Sequence, residues 1–199
     1  MKRGFDIFFS LAILLIFFPI FLFLFLVVRL TSKGSAFYFS ERVGKEGKKI
    51  ICTKFRTMKI GAEYSLENLL KNTQYSKEWN QYHKLKKDPR ITKVGYFLRK
   101  TSLDELPQFF DVLRGDLSIV GPRPLSFFEI KKYSGPKIDT MLKVRPGITG
   151  LSQTQGRNHL SIEERIELEQ SYVQKQNFLI DLLIIVKTIP QIITCKGAY

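Results

Sequence analysis

The chain has 199 residues, a net charge of +14, 44% hydrophobic side chains and only two cysteines and two histidines. Cys52 and Cys195 are far apart and form no Cys-x-x-Cys pair, which excludes a disulfide framework and a zinc site. His83 and His159 suggest neither a metal pair nor a Ser-His-Asp triad, so the chemistry must come from carboxylates and cations.

The first element is an apolar run of 22 residues, Ile7 to Val28, interrupted near its midpoint by Pro19. As a helix it would extend about 33 Å, enough to cross a bilayer core. Lys2 and Arg3 precede it, and Arg29, Lys33 and Arg42 follow. Basic flanks belong on the cytoplasmic side, and here both flanks qualify. A helix that enters the membrane, breaks at Pro19 and leaves by the same face satisfies both. A spanning helix kinked at proline is the other reading. No small-residue cleavage site follows the run, which argues against a cleaved signal peptide. The basic soluble part beside a membrane favours anionic headgroups or phosphorylated ligands, with nucleic acid the weaker option.

Ala36–Ser40 and Lys49–Phe55 read as a hairpin closed around Gly44-Lys45-Glu46-Gly47. Residues 62–86 place Leu66, Leu69, Leu70, Tyr75, Trp79 and Tyr82 at helical spacing, giving one or two amphipathic helices. A short helix is expected over 105–114, ending at Gly115, then a buried strand from Ser118 that breaks into Gly-Pro-Arg-Pro. Arg145–Gly150 is a Gly/Pro turn, and 161–176 a polar helix. Phe178 to Ile193 is apolar with a thin polar stripe of Asp181, Lys187 and Gln191. It fits a helix in the membrane interface or a core helix. The fold class is α+β, mostly helical, with residues 1–32 as a membrane element and 33–199 as a small domain with short strands.

Asp104 and Glu105 are the most pointed chemical feature. Ser102 and Glu105 have the spacing of a capping box, but Pro107 would then fall where a helical N–H is needed. With Asp104 as cap, Pro107 enters the first turn, and the carboxylate lies at a helix N-terminus that also favours phosphate. A plain N-cap is the bland alternative. Arg123 between two prolines, Arg145 before Pro146-Gly147 and Arg157 after Gly156 put guanidinium forks on stiff turns, an arrangement suited to phosphate.

Four segments carry a resemblance: KFRTM (Lys54–Met58), DPRITKVGYFLRKTSLDELPQ (Asp88–Gln108), DVLRGDLSIVGPRP (Asp111–Pro124) and VRPGITGLSQTQGRN (Val144–Asn158). With the hydrophobic N-terminus, they closely resemble the bacterial sugar transferase family, the monotopic phosphoglycosyl transferases, over essentially the whole chain. The resemblance implies transfer of a sugar phosphate from a UDP-sugar to undecaprenyl phosphate, with release of UMP. It casts Asp104 as the nucleophile that forms a phosphosugar–aspartyl intermediate, and Glu105 as holder of Mg²⁺. Lys54, Arg56, Arg99, Arg123, Arg145, Gln153 and Arg157 become phosphate- or substrate-binding positions. It further implies a re-entrant anchor broken at Pro19, residence on the cytoplasmic face of the bacterial inner membrane, contact with membrane lipids, and compatibility with a homodimer. The family often has Ser-Pro at the break, where this chain has Phe18-Pro19, so the kink lacks a serine hydroxyl for a freed carbonyl. The insert between KFRTM and DPRIT, and the terminal Lys196–Tyr199, resemble the galactose- or glucose-phosphate branch, against an N-acetylated aminosugar or diacetylbacillosamine donor. Members of that branch often carry additional N-terminal helices, so the chain reads as close to a minimal catalytic unit. A noncatalytic membrane scaffold in glycan export is the competing class.

Overall fold

The computed structural model describes residues 2–195 except 83, 84, 86, 134 and 157–159. Two apolar helices open the chain, α1 (Lys2–Ile16) and α2 (Phe18–Thr31), bent from each other by 67°. The sequence places the break at Pro19, whereas the structure puts the hinge at Phe17 and Pro19 in the first turn of α2. There its missing N–H has no intrahelical partner to lose. Phe17 N–H donates to Ile13 O and Phe21 N–H to Phe17 O, so the backbone bonds continue on both sides of the bend without a serine. Among the described residues no single helix is long and apolar enough to cross a membrane, while the bent pair passes that test of length and composition when its two helices are taken together.

Next comes the hairpin, β1 (Phe37–Val43) and β2 (Lys49–Phe55), antiparallel with Phe37 opposite Phe55 and Val43 opposite Lys49. Its turn contains Glu46 at φ 58° and Gly47 at φ 75°, left-handed positions that let two residues reverse the chain. Two helices follow as expected, α3 (Ala62–Leu70) and α4 (Thr73–Tyr82). Helix α5 (Lys93–Thr101) is capped by Thr92, whose Oγ1 accepts from Gly95 N–H at 2.9 Å. Gly95 presses on the KFRTM segment so closely that a Cβ would lie 2.0 Å from Thr57 O.

A short helix α6 (Gln108–Arg114) stops at Gly115, φ 91°, as a left-handed C-cap. Strand β3 (Ser118–Val120) pairs in parallel with β4 (Gly147–Thr149), which arises within the Arg-Pro-Gly turn. Between them lie α7 (Phe127–Lys132) and α8 (Pro136–Met141). Helices α9 (Leu151–Gln155), α10 (Ile162–Lys175) and α11 (Phe178–Ile193) complete the chain. Capping boxes fix the starts of α7 (Ser126, Glu129) and α10 (Ser161, Glu164), and Asn177 caps α11.

Three apolar clusters hold these elements together. The largest joins Ile50 and Cys52 of β2, Val112 of α6, Ile119 and Val120 of β3, Tyr172 of α10 and Ile184 of α11. A second gathers Leu24 and Val28 of α2 with Phe55 and Leu98, beneath the stacked rings of Phe37 and Phe55. The third packs α8 against α10. Helix α11 packs one face in the core, as the core-helix reading expects, and bares an apolar face. Ile184 is buried in the core, while Leu179, Leu183, Val186, Ile189 and Ile193 face outward.

The start of α1 belongs to this body. Lys2 pairs with Asp181, Arg3 donates to Val112 O (2.6 Å) and Leu113 O (2.9 Å), and buried Asp6 accepts from Ser118 Oγ and Ile119 N–H. Around the bend the pair is bare: Phe8, Leu15, Phe18 and Phe23 are each at least 60% exposed.

Candidate active site

Asp104 lies where α5 gives way to α6. Ser102 adopts φ 58°, ending α5 in the left-handed region, and Leu103–Glu105 make one 3₁₀ turn before Pro107 starts α6. Asp104 is therefore not the cap of a helix, as the sequence suggested. The left-handed Ser102 turns the chain before a cap can form, and the 3₁₀ turn tucks Asp104 inward, only 7% exposed. Glu105 is half-buried beside it, and its Oε1 accepts from Lys54 Nζ of β2 at 2.5 Å.

Arg99, on the last turn of α5, faces the same carboxylates. Its Nε donates to Thr57 Oγ1 at 2.9 Å, and it interacts electrostatically with Asp104, Asp88 and Glu105. Burial pulls the Arg99 guanidinium below its usual value, the opposing pull coming first from Asp104. Behind it, Asp88 and Arg90 form a fork, Nε–Oδ1 2.9 Å and Nη2–Oδ2 2.6 Å, with Arg90 Nη1 also donating to Ala62 O. Burial raises the Asp104 carboxyl to about 6; Lys54 and Arg99 pull it down, and neighbouring Glu105 adds to the rise.

The donor chemistry of the dyad suits a hard divalent cation. Mg²⁺ takes one or two carboxylates and completes its shell with water and substrate phosphate. Among the described residues no group of three or more His, Cys, Asp or Glu forms a closed cage.

The other sequence-predicted residues are distributed more widely. Lys54 and Arg99 join the dyad. Arg56 does not: its Nε donates to Ser35 O at 2.7 Å, tying β2 to the exit from α2. Arg123 belongs to a second charged group with Arg42 and Glu129, and its Nε is buried with no hydrogen-bond partner among the described residues. Gln153 lies near it, its Oε1 accepting from Ser152 Oγ, which also bonds Glu169 of α10. Arg145 donates through Nε to Gly115 O at 2.8 Å, at the far end of α6 from the dyad. Arg157 falls outside the described residues. The turns carrying Arg123 and Arg145 touch, Gly147 N–H donating to Pro122 O at 2.9 Å, yet the two side chains join different groups, which local sequence cannot reveal.

Sequence reasoning missed Thr57, the Asp88–Arg90 fork, Glu169 and Asp6. Asp6 had a legible signal, an acid one residue before a 22-residue apolar run. Glu169 is fully buried, and burial raises its carboxyl to about 7.

The bacterial sugar transferase family model matches residues 1–195 of the chain. The chain belongs to the bacterial sugar transferase family. Among this family's relatives, it is 43% identical over 200 residues to the undecaprenyl-phosphate galactose phosphotransferase of Salmonella typhimurium. It is 41% identical over 201 residues to the UDP-galactose-lipid carrier transferase of Erwinia amylovora. Both alignments cover 100% of this chain and 42% of the relative, so the chain spans less than half the length of these two transferases. The exopolysaccharide production protein ExoY of Rhizobium meliloti is 41% identical over 199 residues, 88% of its length.

Proposed function

We propose that this sugar transferase moves a hexose 1-phosphate from UDP-galactose or UDP-glucose to undecaprenyl phosphate, the first membrane step of a surface polysaccharide. The observation that carries the reading is the buried carboxylate of Asp104, set between Lys54 and Arg99 and next to Glu105. The names of the relatives support the choice of a hexose donor and a polyprenol acceptor.

In this reading an Asp104 oxygen bonds to the sugar-bearing phosphorus as the bond from that phosphorus to the UMP oxygen breaks. UMP leaves, and the sugar phosphate remains on Asp104 as an acyl phosphate. An oxygen of the lipid phosphate then attacks the same phosphorus and releases Asp104, yielding undecaprenyl diphosphate sugar. Dividing the transfer in two lets one soluble and one lipid substrate use the same nucleophile in turn. Two anions repel, so the carboxylate reaches a diphosphate only with cations alongside. Lys54 and Arg99 supply fixed positive charge. Mg²⁺, held by Glu105 with Asp104 beside it, would neutralise the phosphate oxygens and the departing charge.

We read the bent pair as re-entrant, placing the enzyme on the cytoplasmic face of the bacterial inner membrane. Its support is that both ends of the pair dock on one body. Lys2, Arg3 and Asp6 bind α11, α6 and β3, while Val28 packs with Phe55 and Leu98. One folded body cannot lie on both sides of a bilayer.

The test is UMP release from a panel of UDP-sugars with undecaprenyl phosphate and Mg²⁺ in nanodiscs. Release with a UDP-hexose is expected. Mg²⁺-dependent binding of UDP-sugar with no UMP release from folded protein would instead favour a noncatalytic scaffold.

A further inference from the structure

A cleft of about 200 Å³ opens at the start of α1, between β3, the segment leading into β4 and the tip of the hairpin. Lys2, Arg3, Lys45, Lys143 and Arg145 line it, and Asp6 is the one acid among its lining residues. Asp6 is already engaged by Ser118 and Ile119. Lys2 and Arg3 are anchored, on Asp181 and on the α6 carbonyls, so their charge is held in place at the wall. Among the described residues no carboxylate pairs with Lys143 or Arg145. Lys2 is paired with Asp181 and Lys45 with Glu46, so the unmet positive charge at the cleft is that of Arg3, Lys143 and Arg145 against Asp6, an excess that favours an anion.

Size and place narrow the anion. Clefts that enclose drug-sized ligands run to about 300–1,000 Å³, so this one takes a headgroup or a small ion rather than a whole nucleotide sugar. It is separated from the Asp104 dyad by the length of α6, about 10 Å. Arg3 meets the last carbonyls of that helix, and the dyad precedes its first residue. It also borders the apolar surface, since Phe5 beside Asp6 packs edge-on against half-exposed Phe178 at 5.4 Å.

We propose that this cleft is a second phosphate site, one that grips a phosphate monoester or diester beside the first turn of α1, apart from the reacting centre. The phosphate comes either from a membrane phospholipid headgroup or from free phosphate, and the cations that recognise it are the same.

The experiment uses the full chain in detergent, titrated with dihexanoyl phosphatidylglycerol, dihexanoyl phosphatidylcholine and inorganic phosphate, with binding read by calorimetry. Lys143→Glu is compared with wild type and with Lys131→Glu on α7. Saturable phosphatidylglycerol binding, weakened about tenfold or more by Lys143→Glu and unchanged by Lys131→Glu, is expected for a headgroup site. Equal displacement by inorganic phosphate identifies free phosphate as the source. No binding of either anion, or binding indifferent to Lys143→Glu, overturns the site. Since the readout is binding and not turnover, its failure leaves the transferase reading untouched.

Discussion

Lys54 Nζ stands 2.5 Å from Glu105 Oε1 across 51 positions of sequence, and the same ammonium draws the Asp104 carboxyl down against burial. One cation therefore serves both carboxylates. Lys54→Met keeps the aliphatic stem and removes the charge. Asp104 should then titrate above its present value of about 6, moving the acid limb of the kcat–pH profile to higher pH. Turnover at pH 7 should fall roughly 100-fold. An unshifted limb with wild-type turnover would separate Lys54 from the chemistry.

Asp104→Asn should cut UMP release by about 10⁴-fold or more, because an amide cannot form the aspartyl phosphate. Folding and membrane retention should survive, and the neutral side chain suits its buried site. Wild-type activity should rise as pH climbs through about 6, where Asp104 loses its proton. Incubation of wild type with radiolabelled UDP-sugar and no lipid should trap label on protein, and the variant should trap none.

Glu169 tests the second charged group. Its carboxyl is raised from 4.5 to about 7, chiefly by burial, so between those values the folded state holds a proton that the unfolded chain has lost. Stability from this group is full below the lower value and declines as pH rises toward 7. Glu169→Gln retains an acceptor for Ser152 Oγ and carries no charge. Urea melts should show it more stable than wild type by ~1–3 kcal/mol at pH 8 and equal to it at pH 4. Greater loss at pH 8 than at pH 4 would contradict that sign.

The topology can be read with thiol probes. A Cβ at Gly4 meets nothing within 4 Å, and Lys48 is exposed on the hairpin, so cysteine fits at both positions. In a Cys195→Ser background, buried Cys52 should stay silent, its thiol raised by burial to about 11. Gly4→Cys and Lys48→Cys should both react with a membrane-impermeant maleimide only from the cytoplasmic side. Labelling from opposite sides would make the bent pair a true span.

Elements whose limits are set by local chemistry were legible in the sequence. The hairpin turn carries its glycines, and Phe178–Ile193 shows its apolar length directly. What failed was decided at a distance. The position of Asp104 depends on a left-handed Ser102 that no residue type announces, and the 3₁₀ turn followed from it. Lys54 could be joined to Glu105 only by the packing of β2 against the α5–α6 corner. Arg123 and Arg145, alike on paper, ended in separate groups: Arg145, ahead of β4, reaches Gly115 O, while Arg123, after β3, meets Glu129 and Arg42. Asp6 was visible as a charge, but only tertiary structure supplies Ser118 as its partner.

The pairing of Lys2 with Asp181 sets an order on biosynthesis. Lys2 waits for a residue 179 positions later before its ammonium finds a partner. The greasy hinge thus emerges long before its polar anchor points, and in the re-entrant reading lipid is its natural shelter in the interval. On that reading bilayer entry comes first and closure of the domain over the first turn of α1 last, so the rest of the molecule would fold on the membrane surface.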